Sequence, residues 1–213
     1  MSFILFDLDG TLIDSTEAIL ESFAIAFDTM GVKAVAPEAI KSLIGHPLDR
    51  MFVELGVSEE KVWDYASAYK AHYMKVAKPK TTLLPTAKEA IALASAHAKL
   101  AVVTTKTSQY SRELLDYLGI LDSFDVLIGR EEVTHPKPHP EPVLKAILAL
   151  DARVESTWMI GDTCMDMIAA REAGVFGIGV TCGYGDLKTL HGCCDYIEQT
   201  PFLAVQRILK WSQ

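Results

Sequence analysis

Short, continuous apolar runs alternate along most of this chain with longer stretches in which apolar residues recur every three or four positions. Runs of the first kind read as buried strands and stretches of the second kind as amphipathic helices. Residues 3–6 form the first run; 100–104, 126–128, 157–160 and 175–180 follow, and 196–197 reads as a short edge strand. Helical spacing fills the intervals at 86–98, 108–118, 141–150, 165–173 and 202–211, with Gly119 and Gly174 placed as stops. Strand–helix alternation of this kind predicts a parallel sheet covered by helices.

The alternation is interrupted once. From residue 15 to residue 78 no strand is predicted. Ala18, Ile19, Phe23, Phe27 and Met30 share a helical face, with Ser15 or Thr16 as N-cap and Gly31 as stop. A second helix opens at Pro37 and ends by Gly45, and a third runs over 58–76. The predicted organisation is therefore an α/β core, residues 1–14 and 81–213, with an all-helical domain inserted at 15–80.

Composition narrows the field of partners. The 213 residues are 50% hydrophobic and 23% charged, which is an ordinary globular composition and excludes intrinsic disorder. The net charge of −8 offers no basic face for nucleic acid or an anionic membrane, so neither is an expected partner. No window holds the ~20 apolar residues of a membrane span. The start, Met1 to Asp7, lacks the basic opening of a signal peptide. Cys164, Cys182, Cys193 and Cys194 are late, uneven and form no CxxC pair, so the expectation is reduced thiols in a cytoplasmic protein.

Candidate chemistry gathers where predicted strands end. Asp7-Leu8-Asp9-Gly10-Thr11 follows the first strand, and its two carboxylates, two positions apart, can face one way. Neighbouring carboxylates repel, which raises a pKa or recruits a cation. Gly10 permits a tight turn that aims backbone N–H groups at an anion. Thr104 ends the second core strand. Lys137 stands between Pro136 and Pro138, in a loop stiff enough to fix an ammonium. Asp162 ends a later strand, and Asp166 lies in the first turn of the following helix. Each feature alone has a bland reading: an Asp-Gly turn, a polar strand end, a solvated lysine, a helix-start acid. Four of them at successive strand ends of one sheet point to a site, because open α/β sheets place their sites at strand carboxyl ends.

In this set and order the chain resembles the haloacid dehalogenase superfamily of phosphohydrolases. Asp7-Leu8-Asp9-Gly10-Thr11-Leu12 is similar to its first motif, Val102-Val103-Thr104 to its second, Lys137 to its third, and Gly161-Asp162 with Asp166 to its fourth. The resemblance implies a Rossmann-like core with a helical cap of the C1 type at 15–80. Ile44-Gly45-His46-Pro47-Leu48 and Val180-Thr181-Cys182-Gly183-Tyr184-Gly185 are most similar to segments of phosphoglycolate phosphatases.

What the resemblance implies for mechanism is specific. Asp7 would be the nucleophile that forms an aspartyl-phosphate, and Asp9 the general acid and then base. Mg²⁺ would be held by Asp7, the Asp9 backbone carbonyl and Asp162, with Asp166 completing the metal set by orienting a bound water or Lys137. Thr104 and Lys137 would stabilise charge on the phosphoryl oxygens. Gly10 and Thr105 would line the phosphate, while His46 and Arg50 are candidates for substrate contact from the cap. Thr105 replaces an Asn or Ser common in relatives, and Cys182-Gly183 replaces a Trp-Gly often found in phosphoglycolate phosphatases. His135 and His139 flank Lys137, but their spacing across Pro138 argues against a metal pair.

The expected activity is Mg²⁺-dependent hydrolysis of a small phosphorylated metabolite, by a monomer or homodimer. A phosphosugar mutase or a pyrophosphatase of the same build remains the alternative. A phospho-accepting signalling receiver fits poorly, since receivers are shorter, use a middle strand and carry no helical insert.

Overall fold

The computed structural model describes residues 2–211. Six parallel strands, β1 (Ser2–Phe6), β4 (Ala98–Val103), β5 (Val126–Ile128), β6 (Thr157–Gly161), β7 (Phe176–Val180) and β8 (Tyr196–Glu198), form one sheet in the order β5-β4-β1-β6-β7-β8. The central strands β1 and β6, and β4 beyond Lys99, are largely apolar without alternation because both faces of the sheet are covered. Their side chains nevertheless sort by period two. Ile4, Phe6, Leu100, Val102 and Ile160 pack on one face, and Phe3, Leu5, Ala101, Val103 and Met159 on the other.

The sheet order has a consequence for the site. From β1 the chain builds outward through β4 to β5, then returns to lay β6 on the other side of β1. That reversal opens a crevice at the carboxyl ends of β1 and β6, where open α/β sheets bind ligands. Asp7 and Asp162 are the residues immediately after those two strands.

The insert contains α1 (Thr16–Thr29), α2 (Pro37–Lys41), α3 (Leu48–Glu54) and α4 (Val62–Val76). Its centre is aromatic: Phe23 and Phe52 lie 4.7 Å apart between ring centroids, and Tyr69 stacks on Tyr73 at 5.4 Å. The chain leaves and re-enters the core through a two-stranded antiparallel ribbon, β2 (Ile13–Asp14) with β3 (Thr82–Leu83). The insert's apolar side merges with the Ile4–Phe6 face of the sheet in one continuous cluster. The remaining helices, α5 (Ala87–Ser95), α6 (Ser108–Tyr117), α7 (Glu141–Leu150), α8 (Cys164–Glu172), α9 (Leu187–Cys193) and α10 (Pro201–Trp211), surround the sheet.

Several elements differ from the sequence expectation. The ribbon, α3 and α9 were not predicted, and the third insert helix starts at Val62 rather than 58. Two-residue strands and seven-residue helices are too short to show a period. α9 depends instead on Asp186, whose carboxylate accepts from the Lys188 and Thr189 N–H groups at 2.9 and 3.1 Å. The cysteine expectation is corrected as well. Cys164 and Cys193, 29 positions apart, form a disulfide between the start of α8 and the end of α9, while Cys182 and Cys194 are free thiols. Only the packing of the two helices brings that pair together. Among the described residues no helix is long and apolar enough to cross a membrane.

Candidate active site

Asp7 continues the β1–β6 pairing: its N–H donates to the Ile160 carbonyl at 2.9 Å. The chain then turns sharply. The Gly10 N–H donates to the Ile13 carbonyl at 2.9 Å, and Gly10 adopts φ +84°, a conformation that disfavours any side chain. This turn brings the Thr11 hydroxyl to Asp162, where it donates to Oδ1 at 3.1 Å. The other oxygen of Asp162 accepts from the Tyr184 N–H at 2.7 Å. Gly183 makes that approach possible, since a Cβ there would collide with the Asp162 carboxylate and the Gly10 carbonyl.

Lys137 crosses from its proline-braced loop into the same cluster and is itself buried. Its three N–H bonds go to Asp7 Oδ1 at 2.6 Å, Asp166 Oδ1 at 2.5 Å and the Val103 carbonyl at 2.9 Å. Asp166 uses its second oxygen to accept from the Thr163 N–H at 3.0 Å and hydroxyl at 2.7 Å, which closes the N-terminus of α8. Thr104 extends the β4–β5 pairing through its N–H to Ile128 at 2.9 Å, and its hydroxyl oxygen accepts from the Lys106 N–H at 3.1 Å. Asp7, Asp162, Asp166, Thr104 and Lys137 are all buried together.

The electrostatics of this group are unbalanced. Asp7, Asp162 and Asp166 bring ligand oxygens within 4.8 Å of one another, and Lys137 is the ammonium that bonds to two of them. Burial raises the Asp7 carboxyl well above its usual range; Lys137 opposes this and the other two aspartates reinforce it. Burial, then Asp166, pushes Asp162 up to about 7, against the hydrogen bonds from Tyr184 and Thr11. Burial works against charge on Lys137, but Asp166 and Asp7 outweigh it and lift its pKa. Three buried carboxylates facing one ammonium fit a hard dication with oxygen ligands. Asp7 and Asp162 are the natural holders, because Asp166 already spends both oxygens on Lys137 and Thr163.

Asp9 turns the other way. Its carboxylate accepts from the Ser15 hydroxyl and pairs with Lys106 at 3.1 Å. Lys106 also donates to the Tyr73 hydroxyl of α4 at 3.0 Å and sits 4.7 Å from the centre of that ring. Burial opposes charge on Lys106, yet Asp9 first and then Tyr73 and Tyr69 outweigh it and hold the ammonium firmly protonated. Beside this group a cavity of about 350 Å³ lies between insert and core, lined in part by Asp9, Gly45, His46, Thr105 and Lys106. The Thr105 hydroxyl donates to the Gly45 carbonyl at 2.8 Å and so ties core to insert. His46 lines the cavity, with Nδ1 donating to the Leu43 carbonyl at 3.1 Å. Arg50 is not among the lining residues; it is exposed on α3 and pairs with Glu54 at 3.3 Å.

The sequence reading singled out residues 180–185 by resemblance without foreseeing the Tyr184 N–H on Asp162, and it missed Ser15, Tyr73 and Lys106 as site residues. Only Lys106 carried a usable signal, two positions past Thr104 at a strand end. It also argued against a metal pair at His135 and His139, whereas a turn closed by the His139 N–H on the Pro136 carbonyl at 3.0 Å brings their rings to 4.7 Å and, with Glu141, groups donor atoms that could hold an ion.

The model of the family described as haloacid dehalogenase-like hydrolase matches residues 4–180, which includes all four strand ends. The chain belongs to that family. It is 37% identical over 174 residues to pyrophosphatase PpaX of Halalkalibacterium halodurans, covering 81% of this chain and 80% of that protein. It is 30% identical over 199 residues to a phosphoglycolate phosphatase of Neisseria meningitidis, covering 88% and 83%. A haloacid dehalogenase-like family hydrolase from Streptococcus pneumoniae superimposes with a TM-score of 0.87 at 28% identity, over 100% of this chain and 99% of that one. The family member described here is an enzyme, a hydrolase that acts on phosphate esters.

Proposed function

We propose that this phosphatase hydrolyses a small phosphorylated metabolite through an aspartyl-phosphate on Asp7, with Mg²⁺ bound by Asp7 and Asp162. The observation that carries the reading is the Lys137 ammonium bonded at once to Asp7 and Asp166 in a cluster with an excess of buried negative charge. When bound, the dication offsets the repulsion between a carboxylate nucleophile and an anionic phosphate.

The residues divide the work. An Asp7 oxygen attacks phosphorus while the bond to the leaving oxygen breaks, and Asp9 supplies the proton that oxygen needs. Water then attacks the acyl phosphate, Asp9 takes its proton, and Asp7 is released with inorganic phosphate. Lys137, held by Asp166, and Thr104 stabilise the charge that spreads over the phosphoryl oxygens. Residues 15–80 act as a cap whose cavity, about 350 Å³ beside Asp9, receives the leaving group. A cavity of that size suits a compact metabolite and not a protein or nucleic-acid substrate.

The test separates the two acids of the first motif. The Asp9→Asn variant, given an aryl phosphate whose leaving group needs no proton, should accumulate one phosphoryl group on the peptide carrying Asp7, seen by mass spectrometry after rapid quenching. Label on another residue would overturn the assignment.

A further inference from the structure

We infer that His135, His139 and Glu141 form a second metal site, one that takes a transition dication such as Ni²⁺, Co²⁺ or Zn²⁺ on the outer side of the loop that carries Lys137 inward. The inference goes beyond the phosphatase reading and does not depend on it.

Donor chemistry sets this group apart from the acid end of the sheet. Asp7, Asp162 and Asp166 are buried and offer oxygen alone. His135, His139 and Glu141 bring two imidazoles and a carboxylate together, with one ligand atom from each lying within 4.8 Å of the others. Carboxylate oxygen suits Mg²⁺, whereas imidazole nitrogen suits zinc, copper and nickel. The two clusters therefore call for different ions.

The local chain holds the three donors in place. Pro136, Pro138 and Pro140 fix the backbone at alternate positions. His135 and His139 are exposed, while Lys137 between them is buried, so the loop presents its histidines to solvent and its lysine to the core. Both Nδ1 atoms face Glu141. His135 Nδ1 lies 3.2 Å from Oε2, and His139 Nδ1 accepts from the Glu141 N–H at 3.1 Å. The Glu141 carboxylate is fixed in turn. Its Oε2 accepts from the His135 N–H at 2.8 Å and its Oε1 from the Thr134 N–H at 3.0 Å. Lys145 pairs with Oε1 at 3.3 Å, which leaves Oε2, the oxygen beside His135, for an ion.

The spacing fits such an ion. Two ligands held tetrahedrally at about 2.0–2.1 Å from a metal stand roughly 3.3 Å apart. The His135 Nδ1 to Glu141 Oε2 separation of 3.2 Å already meets that distance. His139 joins by giving up its bond from the Glu141 N–H, an exposed donor that water can satisfy instead. Three protein ligands leave the remaining coordination positions to water. The ion would tie residue 135 to residue 141 and so brace both ends of the Lys137 loop.

The experiment is calorimetric titration of Ni²⁺ into the untagged full chain near neutral pH, with Mg²⁺ in large excess to outnumber it at oxygen ligands. One Ni²⁺ should bind per chain. His135→Ala and His139→Ala should each weaken that binding at least about tenfold, the lower end of what disturbing a metal's surroundings costs. His97→Ala removes an exposed histidine outside the cluster and should leave binding unchanged. Ni²⁺ should also raise the melting temperature of the wild type and of His97→Ala, and not that of the two loop variants. No saturable Ni²⁺ binding overturns the inference. So does binding that survives both loop variants, and its loss in Asp162→Asn would then place the ion at the acid end.

Should a loop variant lose its structure by circular dichroism, the wild type decides through paramagnetic broadening of its histidine ring protons by Ni²⁺. Two of the six histidines should broaden ahead of the rest. Equal broadening of all six overturns the inference.

Discussion

Asp7 and Asp9 are two residues apart and both buried, yet they occupy opposite electrostatic settings. Asp7 sits among acids, with Asp162 and Asp166 close by, and every one of its charged neighbours comes from the α/β core. Asp9 sits in a balanced pair with Lys106, and its surroundings include Ser15 at the root of the insert and, through Lys106, Tyr73 on α4. The sheet thus builds a negatively charged end suited to a dication and a phosphoryl group, independent of the insert. The insert helps build the neutralised end around Asp9, which on the proposed function meets the leaving group. On the proposed function, reaction class and substrate choice are written in different parts of the molecule, and each should be open to disturbance without the other.

The largest test is at the acid end. Asp7→Asn removes the proposed nucleophile, and hydrolysis should fall by roughly 10⁴ or more for every ester, with no covalent phosphoryl group after quenching. Residual turnover close to wild type would erase the contrast between the two aspartates. Next comes Lys137→Ala, expected to lower kcat by about 10²–10³, the scale for one preorganised donor. Because Lys137 does not face the leaving-group cavity, this loss should be the same for anionic and uncharged leaving groups. Lys137→Arg should recover little, since a planar fork cannot take three converging acceptors as an ammonium does.

The imbalance itself is readable in stability. Asp162 has its carboxyl raised from an ordinary 3.8 to about 7 in the folded chain, and Asp7 is raised as well. A raised acid binds its proton more tightly when folded, so its contribution is complete below about pH 4 and is lost as pH rises through 7. In chelator the melting temperature should therefore drop by about 5–10 °C between pH 5 and pH 8, the upper range for a shift of this size in a chain of this length. Mg²⁺ should stabilise more at pH 8 than at pH 5, since it competes with protons for the same carboxylates. A flat profile with no Mg²⁺ effect would mean that the three acids are not a metal site.

The smallest effect belongs to the insert side. Tyr73→Phe removes the hydroxyl that receives Lys106 but keeps the ring under the ammonium. It should cost about 1 kcal/mol of stability, read by urea denaturation, and on the proposed function should change the relative kcat/KM of different phosphate esters more than the rate with an aryl phosphate. A uniform fall for all substrates would show that Tyr73 supports the core site as well.

Legibility in the sequence followed the same divide. The acid end was nearly complete there: Asp7, Thr104, Lys137, Asp162 and Asp166 each follow a strand or open a loop or helix with recognisable punctuation. Their convergence follows from parallel strands sharing one carboxyl edge. The other end was mostly hidden. Lys106 looked like an ordinary lysine after a strand, Tyr73 like an insert aromatic, and Ser15 like a helix cap. In the fold Ser15 makes no side-chain capping bond to α1 and gives its hydroxyl to Asp9. Arg50, a candidate by proximity to His46, instead makes an exposed i,i+4 pair.

Local chemistry explains the division. Periodicity, Gly10 at a positive φ and proline bracing of Lys137 are properties of neighbours along the chain, so the strands of the six-stranded sheet, the longer helices and the strand-end acids could be read from residue order alone. Contacts such as Thr11 to Asp162, 151 residues apart, or Thr16 to Tyr184, 168 apart, have no local signal. The same holds for the Cys164–Cys193 bridge and for the two-residue ribbon that joins insert to core. They exist only because the β1–β6 reversal and the return of the insert onto the sheet bring distant segments into register. The partner of Asp9 was therefore decided by tertiary packing, whereas the identity of Asp9 as a strand-end acid was already present in six consecutive letters.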